Sequence, residues 1–418
     1  MYKNDLKMAI RNLRRNKGYS FLNIAGLAIG MACCLFILLW INDELSYDRY
    51  HENADRLFRV IFRGRMSNGE INFSTSPAPL AKVLINEFPE VLRATRLLRS
   101  RNVPVSYQEK HFNESLILYT DPNFIDVFSI PLIKGDPREV LRLPNSVVIT
   151  KKAALKYFGR QDPLGQTLTF NGQSDLIITG LAENVPSNAH FHSDLFVSID
   201  TIPERRNQNW FSNPFHTYIV LKEGTSSERL QAKLPEIITK YMGPLAKKVM
   251  GVTLEEYRSS GNTFGFFMQP VNSIHLHSDL EYELEPNGSI IYVYIFSSIA
   301  LFILMIACVN FMNLATARSA GWASEVGVRK VLGSNRSKLI KQFLTESMLM
   351  SSLSLASAVV IAVLLQSVFS RLSDKPLDIA SFCSWIWLPG ALAVIFLWAF
   401  LRAAIPPFTF PLSSRFPC

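Results

Sequence analysis

Long charge-free runs alternate with charged, turn-rich segments along this chain. Residues 18–42, 286–317, 347–370 and 379–401 each pass without an Asp, Glu, Lys or Arg. Spanning a hydrocarbon core of ~30 Å takes about 20 helical residues. A charge at the centre of such a helix costs about 2.5–3.5 kcal/mol on insertion. One run of this kind fits a buried helix in a soluble protein; four predict four transmembrane helices. The first run has 25 residues and ends Leu38-Leu-Trp-Ile with no small-residue cleavage site. It is longer than the ~7–15 apolar residues of a signal peptide and reads as a retained span.

Between the first two runs the period changes. Residues 145–150 and 175–180 are β-branched and read as short strands. Residues 151–158 read as a helix stopped by Gly159, and 77–88 and 226–242 carry apolar stripes at helical spacing. Gly135-Asp-Pro, Asp162-Pro-Leu-Gly, Asn171-Gly and Asn287-Gly mark turns. Residues 43–288 therefore predict a two-lobed α+β domain, long enough to bury its own core. Residues 2–16 set Tyr2, Leu6, Ile10 and Leu13 at helical intervals among basic residues, which predicts an amphipathic helix along the inner membrane surface. The fold class expected is a multi-pass α-helical membrane protein with four transmembrane helices. A large α+β periplasmic domain is inserted between helices 1 and 2.

Charge supplies the orientation. Lys and Arg number 43 against 34 Asp and Glu, a net charge of +9. In a soluble chain that excess suggests nucleic acid. Here charged residues are only 18% and hydrophobic residues 48%, and the excess is localised. Segment 1–17 carries +5 and 318–346 carries +4, while 43–288 carries −2. The bias of Lys and Arg towards the inner face puts 1–17, 318–346 and 402–418 in the cytoplasm, and 43–288 and 371–378 outside. The spans are then 18–42, 289–317, 347–370 and 379–401, nucleic acid is not a partner, and the lipid bilayer is. Five Cys, none within 43–288, exclude a disulfide framework.

No enzymatic motif is present: no phosphate-binding Gly-x-x-x-x-Gly-Lys, no Gly-x-Gly-x-x-Gly, His-Glu-x-x-His, Cys-x-x-Cys or Gly-x-Ser-x-Gly. No catalytic, cofactor or metal residue is assigned. Two His-x-His pairs, His190/His192 and His275/His277, would share a face on a strand and offer two metal ligands. With no Cys or clear acidic cluster accompanying either pair, they read instead as surface or packing histidines. The spans hold no ionisable side chain, which argues against an ion-driven transporter. Asn310 and Asn313, one turn apart near the inner end of the second span, are candidates for interhelical hydrogen bonds or for contact with interfacial water.

The inner segment 318–346 holds Glu325-Val-Gly-Val-Arg-Lys and Gly333-Ser-Asn. The latter predicts a break between two short helical pieces. The second piece sets Leu339, Ile340 and Phe343 apart from Arg336, Lys338 and Lys341, an amphipathic element across the inner mouth of the spans. Such an element anchors to lipid or docks a cytoplasmic partner.

The string from Asn310 to Lys330 resembles the MacB/FtsX-type permeases of ABC transporters. So do Ala9-Ile-Arg-Asn-Leu-Arg-Arg-Asn-Lys-Gly-Tyr-Ser, Asn23-Ile-Ala-Gly-Leu-Ala-Ile-Gly and Tyr47-Asp-Arg-Tyr-His. In 43–288, Asp121-Pro-Asn-Phe, Lys134-Gly-Asp-Pro, Tyr157-Phe-Gly, Asp162-Pro-Leu-Gly and Ile274-His-Leu-His-Ser resemble that family's periplasmic core domain. The likeness covers roughly residues 1–400 and is strongest to long Bacteroidetes-type members. It implies a permease in the bacterial inner (cytoplasmic) membrane, not an enzyme, with no cofactor of its own. ATP would be bound by a separate cytoplasmic ABC ATPase subunit, docked on Glu325, Val326, Gly327, Val328, Arg329, Lys330 and Gly333. It further implies mechanotransmission, a homodimer or heterodimer of permeases, a periplasmic adaptor or hydrolase, and antimicrobial-peptide, macrolide or lipoprotein cargo. Two departures stand out. Gly321-Trp-Ala-Ser replaces the basic residues usual before Glu-Val-Gly, and the 402–418 tail is atypical, as of a truncated or frameshifted half-unit. The alternatives are an FtsX-like transmitter governing a periplasmic cell-wall hydrolase, and a membrane receptor without ATP coupling.

Overall fold

The structure, a computed structural model, describes residues 2–66, 69–331, 336–373 and 375. It divides into two compact units, residues 44–290 and the segments that flank them in sequence. The expected fourth span, 379–401, lies outside the described residues, as does the tail 402–418.

In the flanking unit, helix α1 covers Tyr2–Arg15 and α2 covers Lys17–Leu45. Further along the chain come α10, Ile290–Val331, and α11, Arg336–Ser373. Three stretches within these helices are long and apolar enough to cross a membrane: Lys17–Leu45, Ile290–Ala307 and Thr345–Ser373. The two short helical pieces expected in 318–346 are not what forms. The backbone stays helical from the second apolar run through Val331, because residues 290–331 contain no proline and only the isolated glycines Gly321 and Gly327. Helix resumes at Arg336, directly continuous with the third run.

Leu27, Ala28, Met31 and Ala32 of α2 form one core with Ala307 of α10 and Met350 and Ala358 of α11. Small residues permit the approach of α2 to α10. A Cβ added at Gly30 would lie 3.0 Å from Ala307 Cβ, and one at Gly26 would lie 3.0 Å from Asn310 Nδ2. This is the close helix contact that a small-xxx-small spacing allows. Asn12 Nδ2 donates to Glu346 Oε2 at 3.0 Å, and Lys375 Nζ lies 2.5 Å from Asp43 Oδ2. Asn12 precedes α2 and Asp43 lies near its end, while Glu346 lies within α11 and Lys375 just past it, so α2 and α11 run in the same direction. Helix α1 packs on α11 through Ala9 and Leu13. Ile10, expected on the apolar stripe, is 41% exposed.

Residues 44–290 fold around a single sheet of eleven strands. They are β1 Leu57–Met66, β2 Gly69–Phe73, β3 Val91–Tyr107, β4 Lys110–Thr120, β5 Leu132–Lys134 and β6 Ser146–Thr150. Then come β7 Thr167–Phe170, β8 Ser174–Ala182, β9 Leu195–Ser198, β10 His216–Leu221 and β11 Thr263–Pro270. The order is β11-β1-β10-β3-β4-β9-β6-β8-β5, with β2 on β1 and β7 on β3 and β8. Only β4–β9 and β6–β8 pair in parallel. Helix α3 (Leu80–Glu87), α4 (Phe124–Val127), α5 (Lys151–Phe158), α6 (Ser227–Ile237), α7 (Gly243–Met250), α8 (Leu254–Ser259) and α9 (Ile274–His277) lie between them. The expected strands and helix at 145–158 form as β6 and α5. Thr150 Oγ1 accepts from Ala153 N at 3.3 Å as N-cap, and Gly159 ends the helix at φ 62°, a conformation glycine adopts without strain.

Residues 44–290 form one compact unit rather than two separate lobes, with several cores along the sheet. One core joins Phe58, Val60 and Phe266 to Leu80, Leu84, Leu230 and Leu234. Another joins Val147, Ile149, Leu168 and Leu176 to Tyr157 and Phe158. The 17-residue strand β3 contributes Ala94 to the first and Val105 to the second. A third cluster, with Leu97, Leu118, Phe124, Phe128, Phe191 and Tyr218, fills the middle.

Candidate functional site

Residues 44–51, at the end of the first span and just past it, and residues 274–285, ahead of the second, are both built into the middle of the sheet domain. Tyr47-Asp-Arg-Tyr-His and Ile274-His-Leu-His-Ser lie in these segments. Asp48 sits at φ 59° with no exposed surface. Its Oδ1 accepts from His190 N at 3.1 Å and pairs with His190 Nδ1 at 2.8 Å. His51 Nε2 approaches the same oxygen at 3.5 Å, while His51 Nδ1 pairs with Phe128 O at 2.7 Å. Burial on its own would raise the Asp48 pKa. The charge and hydrogen bond of His190, helped by His51, outweigh it and hold the carboxyl well below the usual range.

His190 carries the network onward. Its Nε2 pairs with Tyr218 Oη at 2.8 Å, and burial pushes that phenol up. Tyr218 in turn meets Arg59. Arg59, fully buried on β1, donates to Glu283 Oε2 at 2.5 Å, Glu283 Oε1 at 2.8 Å, Gln269 Oε1 at 2.8 Å and Ser278 Oγ at 3.0 Å. Arg99 Nη1 donates to Glu283 O, and Arg101 Nη2 to Leu284 O at 2.7 Å. One connected set of polar contacts thus runs from Asp48, just past the first span, to Glu283, just before the second. A second tie is shorter: His275 Nε2 pairs with Glu44 Oε2 at 2.8 Å and its ring stacks on Tyr47 at 3.4 Å.

Neither His-x-His pair lies on a strand, the arrangement that would set both imidazoles on one face. His275 and His277 sit on the one-turn helix α9, where i and i+2 point apart. His190 and His192 lie in an irregular stretch, not on a strand. Each of three imidazoles has its own acid: His190 has Asp48, His275 has Glu44, and His192 pairs with Glu285 Oε2 at 2.8 Å. Among the described residues no group of three or more His, Cys, Asp or Glu could hold a metal. The acids escape a linear reading because they come from 93 to 231 residues away.

Of the inner-segment residues, Glu325, Val326, Gly327, Val328, Arg329 and Lys330 fall on the helical backbone of α10. Their side chains lie outside the described residues, and Gly333 lies outside altogether. Asn310 lies beside Gly26 of α2, and Asn313 is exposed. The residues that the sequence did not single out are Glu44, Asp48, Arg59, Tyr218 and Glu283. Arg59 had one signal: it stands in the apolar run Leu57-Phe-Arg-Val-Ile-Phe, which is buried on both faces of β1.

These features define an integral membrane protein whose sheet domain is inserted between its first two spans and tied into both connecting segments. The MacB-like periplasmic core domain model matches residues 20–237, and the FtsX-like permease C-terminal model matches 297–408. The chain belongs to the MacB/FtsX-type permease family of ABC transporters. It is 24% identical over 386 residues to the macrolide export ATP-binding/permease protein MacB of Neisseria gonorrhoeae, covering 90% of this chain and 55% of that protein. The MacB of Pasteurella multocida matches at 24% over 230 residues, 54% of this chain and 31% of that protein. The chain thus spans about half the length of the first of these relatives. Among solved structures, a domain of a permease protein from Porphyromonas gingivalis aligns with TM-score 0.46 and 23% identity, covering 59% of this chain and 98% of that one. The periplasmic region of MacB from Actinobacillus actinomycetemcomitans aligns with TM-score 0.35 and 16% identity, covering 53% and 94%.

Proposed function

We propose that this chain is the permease subunit of an ABC transporter that turns ATP hydrolysis by a separate cytoplasmic ATPase into movement of its periplasmic domain. The observation that carries this reading is the buried junction. Arg59, Tyr218, His190 and Asp48 bind the segments next to both spans into one core. A displacement of either span then loads the sheet domain directly, since close-packed interiors shift as units. The ATPase docks on Glu325–Gly333, with Val326 and Val328 as apolar contacts and Arg329 and Lys330 as polar ones. The protein resides in the bacterial inner membrane and acts as a dimer of permeases, with an adaptor or hydrolase engaging the periplasmic domain. Its cargo is peptide, macrolide or lipoprotein in class.

The test is copurification and ATPase stimulation with candidate partner subunits in lipid. Wild type is expected to retain and stimulate a partner. Combined Val326→Asp, Val328→Asp and Arg329→Ala is expected to reduce both by about tenfold or more, equivalent to ~1.4 kcal/mol of docking energy. If no ATPase associates, and the triple variant behaves as wild type, the reading fails.

A further inference from the structure

A cleft of about 560 Å³ opens in the sheet domain, lined by Arg101, Glu114, Lys152, His192, Asp194 and Glu285 among others. Glu114, at its base, is 8% exposed. Tyr157 Oη and Lys156 Nζ (2.7 Å) both donate to the same oxygen, Oε1. Its other oxygen, Oε2, is left to the cleft. It is open to solvent there, so a donor carried by a ligand can replace water on it. The register Arg101↔Leu116 and Val103↔Glu114 puts Arg101 diagonal to Glu114 on one face of β3–β4. Arg101 is pinned by the Leu284 carbonyl and keeps further N–H donors. Lys152 sits on the rim, 3.1 Å from Asp194. Arg101 and Lys152 thus bring positive charge to a cleft that Glu114, Asp194 and Glu285 also line.

We propose that this cleft binds a zwitterion. An ammonium group reaches Glu114 Oε2, and an anionic group a few bonds away meets Arg101 and Lys152. The amino end of a short peptide and a phosphoethanolamine headgroup share this chemistry. Glu285 and Pro286 form one wall and lead into α10, so occupancy would reach the second span. That consequence rests on the permease reading; the binding does not.

The full chain in detergent is titrated calorimetrically with triglycine, N-acetyl-triglycine and phosphoethanolamine, with no ATPase present. Saturable binding of triglycine or phosphoethanolamine is expected, with N-acetyl-triglycine weaker by about tenfold or more. Tighter binding of triglycine marks a peptide ligand, and tighter binding of phosphoethanolamine marks a lipid headgroup. Glu114→Gln is expected to lose about tenfold in affinity or more. Glu114 also holds Tyr157, so Ser115→Trp, at an exposed lining position, provides a second test. It fills the cleft and is expected to abolish binding with the melting temperature retained. Wild type that binds neither zwitterion at millimolar concentration overturns the proposal. So does a Ser115→Trp variant that binds as wild type. Either result leaves the ATPase-coupling reading untouched.

Discussion

At the scale of single residues, Arg59 is a charge carried into the core on a strand buried on both faces. Its guanidinium is offset by Glu283, Gln269 and Ser278. Removing one partner of a buried ion pair strands the other, at a cost of about 3–5 kcal/mol. Arg59→Ala is therefore expected to destabilise the sheet domain by that order, read as a fall in its denaturation midpoint. His216, buried on β10, has its pKa driven well below the ordinary value by burial and then by the charges of Arg59 and Arg99. The unfolded chain protonates this imidazole below about pH 6.5, whereas the folded chain does not. His216 thus costs stability as pH falls through that value. The melting temperature is expected to drop between about pH 7 and 5, and His216→Phe is expected to flatten part of that drop. Asp48 acts further down: its lowered pKa contributes stability above the ordinary carboxylate range that is lost in stronger acid.

At the scale of elements, the legible parts were those where period and punctuation agree. The strand and helix at 145–158 have β-branched residues, a Thr N-cap and a stopping glycine in a row, and they form as read. The length of α10 was not legible, because the return of charge at Arg318 looks like the end of a span. A helix needs a breaker to stop, and none lies before residue 332. The contact of α2 with α10 was half visible as Gly26-x-x-x-Gly30, but its partner, Ala307 with Asn310, is set by packing. Gly30→Leu forces a side chain into a 3.0 Å gap. The overpacking cost is about 1–3 kcal/mol, and it should appear as lower thermal stability of the purified protein in detergent. Gly18→Leu, at a position with open space around it, is the control expected to change little.

At the scale of the whole molecule, the domain order follows from the apolar runs, while the junction follows from folding. If the junction transmits movement, cutting it should separate docking from work. His190→Ala removes the link between Asp48 and Tyr218. It is expected to leave ATPase copurification near the wild-type level and to lower ATP-dependent export or ATPase stimulation by about tenfold. Equal loss of docking and stimulation would assign His190 to stability alone.

The sequence by itself determined the membrane class, three described spans and an inserted α+β domain, because charge is excluded from a hydrocarbon layer and apolar period records which surface is buried. Motif order was enough to indicate the family as well. Only the tertiary structure decided that the sheet domain is one unit and what the histidines do. Strand β3 crosses both cores without a linker, and each of three imidazoles takes an acid from a distant part of the chain. Hydrogen-bond partners of buried polar groups are set by which strands lie side by side, and linear spacing carries no record of that.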